Sequence, residues 1–461
     1  MARLSATTAA RRRRNSNGGI RTYRSALRFL GSVTDYEKLT RVGYNHTTFN
    51  LSRMNRLLKA LENPHRSFRS VHIAGTKGKG STATMLARML EACGRRTGLY
   101  TSPHLVDLRE RISIDGTLIS EAELTRVIAR IAPAVKQLRN DDPTFFEIMT
   151  AAAFLYFAEK GVDIAVVETG LGGRLDSTNV LKPDVCGITT ISLDHQQQLG
   201  SSLAAIAEEK AGIFKSGVPI VSAPQPPEVM QVLRKAAEKA NTDLRITGED
   251  IDFSYRFESS RLVGPHTRVC LTTQVSRFEH LHVPLMGEHQ AINCGVALGL
   301  LDALKAQGHQ IEDQAAIDGL AAVKLAGRME MVSQEPRILV DGAHNAASVD
   351  ALMRAIGQNI PYDSMVLIFG CSADKDVTGM LDRLRYGADK VIFTRNGSPK
   401  AVEPTELLSR FVELTGKMAQ TAPTLDEALA IAKRAVTRED LICIAGSFYL
   451  VGQAKQLLTS K

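Results

Sequence analysis

Val71-His72-Ile73-Ala74-Gly75-Thr76-Lys77-Gly78-Lys79-Gly80-Ser81-Thr82 decides how this chain folds. The run Val71–Ala74 predicts a strand, and a helical pattern follows to about Ala92. Between them lies a turn with glycines at 75, 78 and 80. Glycines let backbone N–H groups close around a phosphate, the helix N-terminus adds its dipole, and Lys79 supplies a mobile positive charge. The spacing departs from G-x-x-x-x-G-K-[ST], because Gly80 separates Lys79 from Ser81. Strand, loop and helix nevertheless stand in the order a phosphate-binding loop requires.

Outward from this loop the chain repeats the same alternation. Apolar runs at Gly98–Tyr100, Asp163–Glu168, Val185–Ile191 and Val218–Ser222 are separated by helical patterns. Continuous apolar strands between helices predict a mostly parallel sheet covered on both faces. Ser120 with Glu123 and Thr144 with Glu147 form capping boxes that start two of the helices. From Asp250 to Pro284 short alternating strands predict a small antiparallel sheet. The alternation resumes at Ile338–Asp341, Met365–Gly370, Lys390–Thr394 and Leu441–Ala445. A chain of 461 residues exceeds what one core supports. The expected division is a disordered basic tail at 1–30, a P-loop domain at 31–323, a linker at 324–330 and a second, Rossmann-like α/β domain at 331–461.

The net charge of +8 is confined to the tail. Arg3, Arg11, Arg12, Arg13, Arg14, Arg21, Arg24 and Arg28 account for all of it, and the first 28 residues hold no acidic side chain. The basic pI therefore does not imply a nucleic-acid-binding fold. The tail's composition resembles a mitochondrial transit peptide; otherwise it reads as a plain disordered extension. No apolar stretch reaches the ~18 residues of a membrane span. Six cysteines lack any Cys-x-x-Cys, which excludes a zinc ribbon and a dithiol redox motif.

Two more candidate positions fall at strand ends, where open α/β sheets bind ligands. Glu168 closes an apolar strand, as the acid that faces nucleotide magnesium does in P-loop proteins, and Thr169–Gly173 lets a ligand approach the backbone. Ser192-Leu193-Asp194-His195 follows the next strand. In the second domain Asp341-Gly342-Ala343-His344-Asn345 is a plausible grip for a small ligand. Lys210 lies on a helix, where a lysine is normally solvated, and physics alone does not single it out.

These segments together resemble the folylpolyglutamate synthase/dihydrofolate synthase family of the Mur ligase superfamily. The resemblance runs in order through GTKGKGST (75–82), TSPHL (101–105), RERI (109–112), TFFE (144–147), ETGLGGRLDSTN (168–179), SLDH (192–195), EKAGI (209–213), GEHQAIN (287–293), AGRME (326–330), DGAHN (341–345), DKD (374–376) and AGSFYL (445–450). It implies an ATP- and Mg2+-dependent acid–amino-acid ligase that joins L-glutamate to a folate or dihydropteroate through an acyl phosphate. Lys77, Gly78, Lys79, Gly80 and Ser81 would cradle the ATP phosphates, and Asn293, Arg328 and Asp341 would contact ATP. Ser102, Glu168 and His195 would hold magnesium, with Lys210 matching the lysine that is carbamylated in the family. Phe49, Asn50, Leu51, Ser52, Thr144, Phe145, Phe146, Glu147, Leu175, Asp176 and Ser177 would line the pteroate site. His344 and Ser447 would meet the glutamate, and Lys79, His195, Lys210 and His344 form the implied catalytic set.

Two departures stand out: Lys77 replaces a common Asn, and Ser177 an Ala frequent in bifunctional relatives. The resemblance further implies a cytoplasmic monomer, or a mitochondrial one if the tail is an address, without nucleic-acid or membrane partners. A cell-wall Mur ligase would need a UDP-sugar domain ahead of the loop, where 74 residues stand. A P-loop protein of another function would not need the second domain.

Overall fold

The computed structural model describes residues 19–37, 49–138, 141–260 and 264–459. Strands β1 (Arg69–Ala74), β2 (Thr97–Tyr100), β3 (Ile112–Ile114), β4 (Thr117–Leu118), β5 (Ile164–Glu168), β6 (Val185–Ile188), β7 (Ile220–Ser222) and β8 (Leu244–Ile246) form one sheet. Its order is β4-β3-β2-β5-β1-β6-β7-β8, parallel except where β3 pairs antiparallel with β2 and β4. The apolar runs are explained by two-sided burial. On β5, Ile164 and Val166 face the helix Lys79–Ala92, while Ala165 and Val167 face the helix Phe145–Glu159.

A three-stranded antiparallel sheet follows, formed by β9 (Asp252–Ser260), β10 (Gly264–Thr272) and β11 (Arg277–Val283) in the order β11-β10-β9. Its Val269, Leu271 and Phe278 join the core of the helix Glu288–Ala306, so it is no separate module. The third sheet holds β12 (Glu330–Gln334), β13 (Arg337–Val340), β14 (Met365–Phe369), β15 (Lys390–Thr394), β16 (Gln420–Ala422) and β17 (Leu441–Ala445). Its order is β12-β13-β17-β14-β15-β16, with only β12 antiparallel. Both capping boxes form, starting the helices Glu121–Gln137 and Phe145–Glu159.

Two boundaries need correction. The tail does not extend to residue 30, because Tyr23–Leu30 is a helix capped by Thr22, with Ala26 and Leu30 in the core. Its arginines hid an amphipathic pattern; residues 1–18 lie outside the described residues. The linker 324–330 is also structured at its end. Glu330 opens β12 and accepts two hydrogen bonds from Lys455, at 2.7 and 2.8 Å. Among the described residues no helix is long and apolar enough to cross a membrane.

Candidate active site

The phosphate loop leaves the C-terminal end of β1, Glu168 ends the adjacent β5, and Ser192–His195 follow β6 on the other side. Gly78 takes φ 87°, a left-handed conformation that favours glycine, and the helix it precedes has no side-chain cap. The first N–H groups of that helix are therefore left for an anion. A methyl group on Gly78 would lie 1.9 Å from Asn293 Oδ1, and one on Gly75 would lie 1.9 Å from Thr189 Oγ1. The loop thus rests directly on Asn293, whose amide donates to Gln290 Oε1 at 3.1 Å.

Glu168 is buried beside the loop, its Oε2 accepting from Ser102 N at 3.0 Å. Lys79 Nζ stands 3.8 Å from Oε1. Burial raises the Glu168 pKa despite the pull of Lys79. A buried carboxylate whose burial is only partly offset by Lys79, Arg328 and Arg111 suits a divalent cation. Lys210 is not on a solvated face as an ordinary helical lysine would be. Only 4% of it is exposed, and its amine donates to Gly75 O at 2.7 Å. Burial, followed by the charge of Lys79, drives its pKa well below the usual lysine range. His195 sits in a left-handed turn with φ 51° and 44% of its side chain exposed. Partial desolvation and then the charge of Lys375 lower its pKa, leaving a neutral imidazole whose ring nitrogen can bind a cation. Among the described residues no three His, Cys, Asp or Glu side chains gather as a ready metal site.

Asp194 joins the two halves of the molecule. It is a buried carboxylate that accepts from Lys77 Nζ at 2.7 Å, Lys375 Nζ at 2.9 Å and Asn345 Nδ2 at 3.4 Å. Burial would raise its pKa, but Lys77 and Lys375 hold it far below the usual carboxylate range. Lys77 Nζ also lies 3.1 Å from His344 Nε2. His344 Nδ1 is 2.7 Å from Gly342 O, so Nδ1 carries the proton and Nε2 accepts from Lys77. Burial, then Lys77 and Lys375, push the His344 pKa well down, in agreement with a neutral ring. Nearby, the Arg328 guanidinium covers the Phe448 ring at 4.4 Å and makes no hydrogen bond among the described residues. Asp341 accepts from Met329 N and Ala343 N, both at 2.8 Å, and so shapes the turn that carries His344. Ser447 is buried and accepts from Tyr449 N at 3.1 Å, at the start of the helix Phe448–Thr459.

The residues expected to line a pteroate site lie on neighbouring elements, but not every one of them is free to meet a ligand. Asn50 caps the helix Leu51–Ala60 by accepting from Ser52 N at 2.9 Å, and Phe49 lies 5.5 Å from the Tyr36 ring. Phe146 lies against Gly170 and 6.1 Å from the Tyr100 ring, and Arg111 stacks on Phe145 at 5.2 Å. Leu175 is buried and Ser177 half-buried. Glu147 and Asp176 do not offer their carboxylates as ligand contacts. Glu147 accepts from Thr144 N at 2.7 Å and from Arg53 Nε at 2.8 and 2.9 Å. Asp176 accepts from Gly170 N, Leu171 N, Thr178 N and the Thr178 hydroxyl, which uses all its lone pairs. The family resemblance places both in the pteroate site; their geometry makes them supports.

The Mur ligase middle domain matches residues 73–301, and the Mur ligase glutamate ligase domain matches residues 327–448. Dihydrofolate synthase/folylpolyglutamate synthase of Bacillus subtilis (strain 168) is 34% identical over 413 residues, 88% of this chain and 94% of the relative. The protein of that name from Mycobacterium tuberculosis (strain ATCC 25618 / H37Rv) is 37% identical over 401 residues, 83% and 82% of the two chains. The structure of Mycobacterium tuberculosis folylpolyglutamate synthase complexed with ADP superimposes with a TM-score of 0.85 at 34% identity, over 95% of this chain and 98% of that one. This chain belongs to the folylpolyglutamate synthase/dihydrofolate synthase family.

Sequence reasoning on this Mur ligase missed the residues that tie the site together. Asp194 and Lys375 lay inside quoted motifs without a role, and their pairing spans 181 positions. Arg111 is 1% exposed; it grips Glu37 at 2.8 and 2.7 Å and donates to His104 Nδ1 at 2.9 Å. Glu37 O in turn accepts from Lys400 Nζ of the second domain at 3.3 Å. Arg111 stands between Glu110 and Ile112 in a charged stretch, so its burial left no signal in the sequence.

Proposed function

We propose that this protein is an ATP-dependent ligase that joins L-glutamate to the carboxylate of a folate or dihydropteroate, releasing ADP and phosphate. The observation that carries this reading is the junction at Asp194. Lys77 of the phosphate loop meets His344, Asn345 and Lys375 of the second domain there. A ligase that activates one substrate and condenses it with another needs two such surfaces closed over one site.

In this reading the pteridine substrate lies along Phe49–Ser52, Phe145, Phe146, Leu175 and Ser177. Its carboxylate oxygen attacks the γ-phosphorus of ATP, the bond to the β-phosphate oxygen breaks, and ADP leaves. The glutamate amine then adds to the acyl carbon, phosphate leaves and the amine loses a proton. Lys77, Gly78, Lys79, Gly80 and Ser81 hold the phosphates, and Lys79 offsets the charge that builds on them. The Arg328 guanidinium, with no hydrogen bond among the described residues, supplies a second cation; Asn293 and Asp341 shape the nucleotide side. His344, whose Nε2 accepts from Lys77, and Ser447 stand on the side where the glutamate would bind.

Ser102, Glu168 and His195 would hold a magnesium ion, which supplies charge neutralisation on the nucleotide. A Lys210 amine kept neutral by burial is in the form that adds to carbon dioxide, and the resulting carbamate would give that ion an anionic ligand. The protein is expected to act as a cytoplasmic monomer, or in mitochondria if the arginine-rich first residues are an address. Glutamate-dependent ADP release, measured with dihydropteroate and with tetrahydrofolate on one preparation, tests the reading. Release should require glutamate and at least one of the two pteridines. ADP release that needs neither would overturn it in favour of another P-loop activity.

A further inference from the structure

His72 is a polar residue in the middle of the apolar strand β1, fully buried between Val167 of β5 and Cys186 of β6. Nothing in the chemistry above uses it. Its Nε2 lies 2.7 Å from Thr178 Oγ1. The Thr178 hydroxyl in turn donates to Asp176 Oδ1. Asp176 already accepts three backbone N–H groups, so it is the acceptor at the end of the chain and the threonine proton points toward it. The hydroxyl oxygen must then accept from His72, which places the imidazole proton on Nε2. The donors are then assigned: His72 Nε2–H donates to Thr178, Thr178 O–H donates to Asp176, and the N–H groups of Gly170 and Leu171 donate to Asp176.

Those two N–H groups belong to the glycine loop that begins directly after Glu168. Gly170 is the residue against which Phe146 packs, where a methyl group would come within 2.5 Å of the ring. The path therefore starts on the strand that delivers the phosphate loop and ends under the wall of the pteroate site. A histidine is poorly suited to its position on packing grounds. Nδ1 is also buried and has no hydrogen-bond partner among the described residues, which carries a desolvation cost a valine would avoid. Burial, then the charge of Lys215, lowers the His72 pKa to about 3, so the ring stays neutral and the donor stays in place at working pH.

We infer that His72 is a positioning residue for the pteridine substrate, holding the 170–178 loop in register with the phosphate loop through Thr178 and Asp176. This rests on the function proposed above. It makes β1 the common reference for both substrates: ATP through its C-terminal loop, the pteridine through the side of the strand.

The test compares His72→Leu, which fills the space without a donor, with His72→Gln, whose amide nitrogen falls where Nε2 was. Steady-state ADP release is measured on the full chain with dihydropteroate or tetrahydrofolate, ATP and glutamate. In His72→Leu the KM for the pteridine should rise roughly tenfold, the effect of losing one buried hydrogen bond to a polar network, while the KM for ATP stays unchanged. His72→Gln should recover most of the loss. An unchanged pteridine KM in folded His72→Leu, or an equal rise in both KM values, would overturn the inference. If His72→Leu does not fold, Thr178→Val breaks the same path from the other side, and a wild-type pteridine KM there would overturn it too. A wild-type protein that releases no ADP with either pteridine would defeat the proposed function instead.

Discussion

Asp194 and Asp176 are both buried carboxylates of the first domain, yet they are held in opposite ways. Asp176 accepts only from its own loop, through three backbone N–H groups and one hydroxyl. Asp194 accepts from Lys77, Lys375 and Asn345, and the last two come from the second domain. Burial pushes both acids upward. For Asp176 the neutral donors do not overcome it, and the pKa ends above the usual value. For Asp194 the two ammonium groups win, and the pKa ends well below. Neutral donors that move with the loop make a fixed wall. Charged side chains reaching from another domain make a joint that exists only while the domains meet.

If that distinction is correct, substitutions should separate turnover from stability. The largest effect belongs to Lys79→Ala, which sits between joint and wall. It should lower ADP release by about a thousandfold or more with an unchanged melting temperature. Near-normal turnover in a folded variant would move the phosphate site elsewhere. Next comes Asp194→Asn, which leaves two part-buried ammonium groups without their shared counter-charge. A loss of several hundredfold in kcat/KM for glutamate is expected, on the scale of breaking a buried ion pair. If only the melting temperature falls, the joint is a structural clasp and the comparison fails on that side. Asp176→Ala should lower stability by about 2–3 kcal/mol in urea unfolding, because three buried N–H groups lose their acceptor, and should raise the pteridine KM as His72→Leu does while sparing the KM for glutamate. Wild-type stability there would break the comparison on the other side.

The two regions were also unequally legible. The sheets could be read because β5, β14, β15 and β17 are continuous apolar runs. Strands β3, β4, β8 and β16 hold two or three residues each, too few to show a period. The phosphate loop, Glu168 and His195 announced themselves by standing at strand ends. The joint did not, because a lysine such as Lys375 looks the same whether solvated or buried against an aspartate far away in the chain. Lys210 misled for the same reason: its helix shows an ordinary charged face, and only the fold reveals that this face closes over Gly75. The wall misled in the reverse direction. Glu147 and Asp176 had the right residue type in the right motif, but their hydrogen bonds turn inward.

The smallest expected effect is a pH slope, and it tests whether the wall is as dry as its geometry requires. His72 titrates at about 3 in the fold and near 6.5 when unfolded. Its folded pKa is depressed, so the unfolded chain binds the extra proton first as the pH falls. The stability tied to the neutral ring is therefore complete above 6.5 and is lost progressively on going down toward 3. Between pH 7 and 5.5 that loss amounts to about 1 kcal/mol. His65, His195 and His344 are depressed as well, but they remain in both proteins, so subtracting His72→Gln from wild type isolates this one site. Urea unfolding free energies should fall less steeply with acidification in His72→Gln, by about that amount. Parallel curves would mean that the His72 ring takes up its proton inside the fold. Water would then reach Nδ1, and the 170–178 loop would not be the dry, rigid wall that sets Asp176 apart from Asp194.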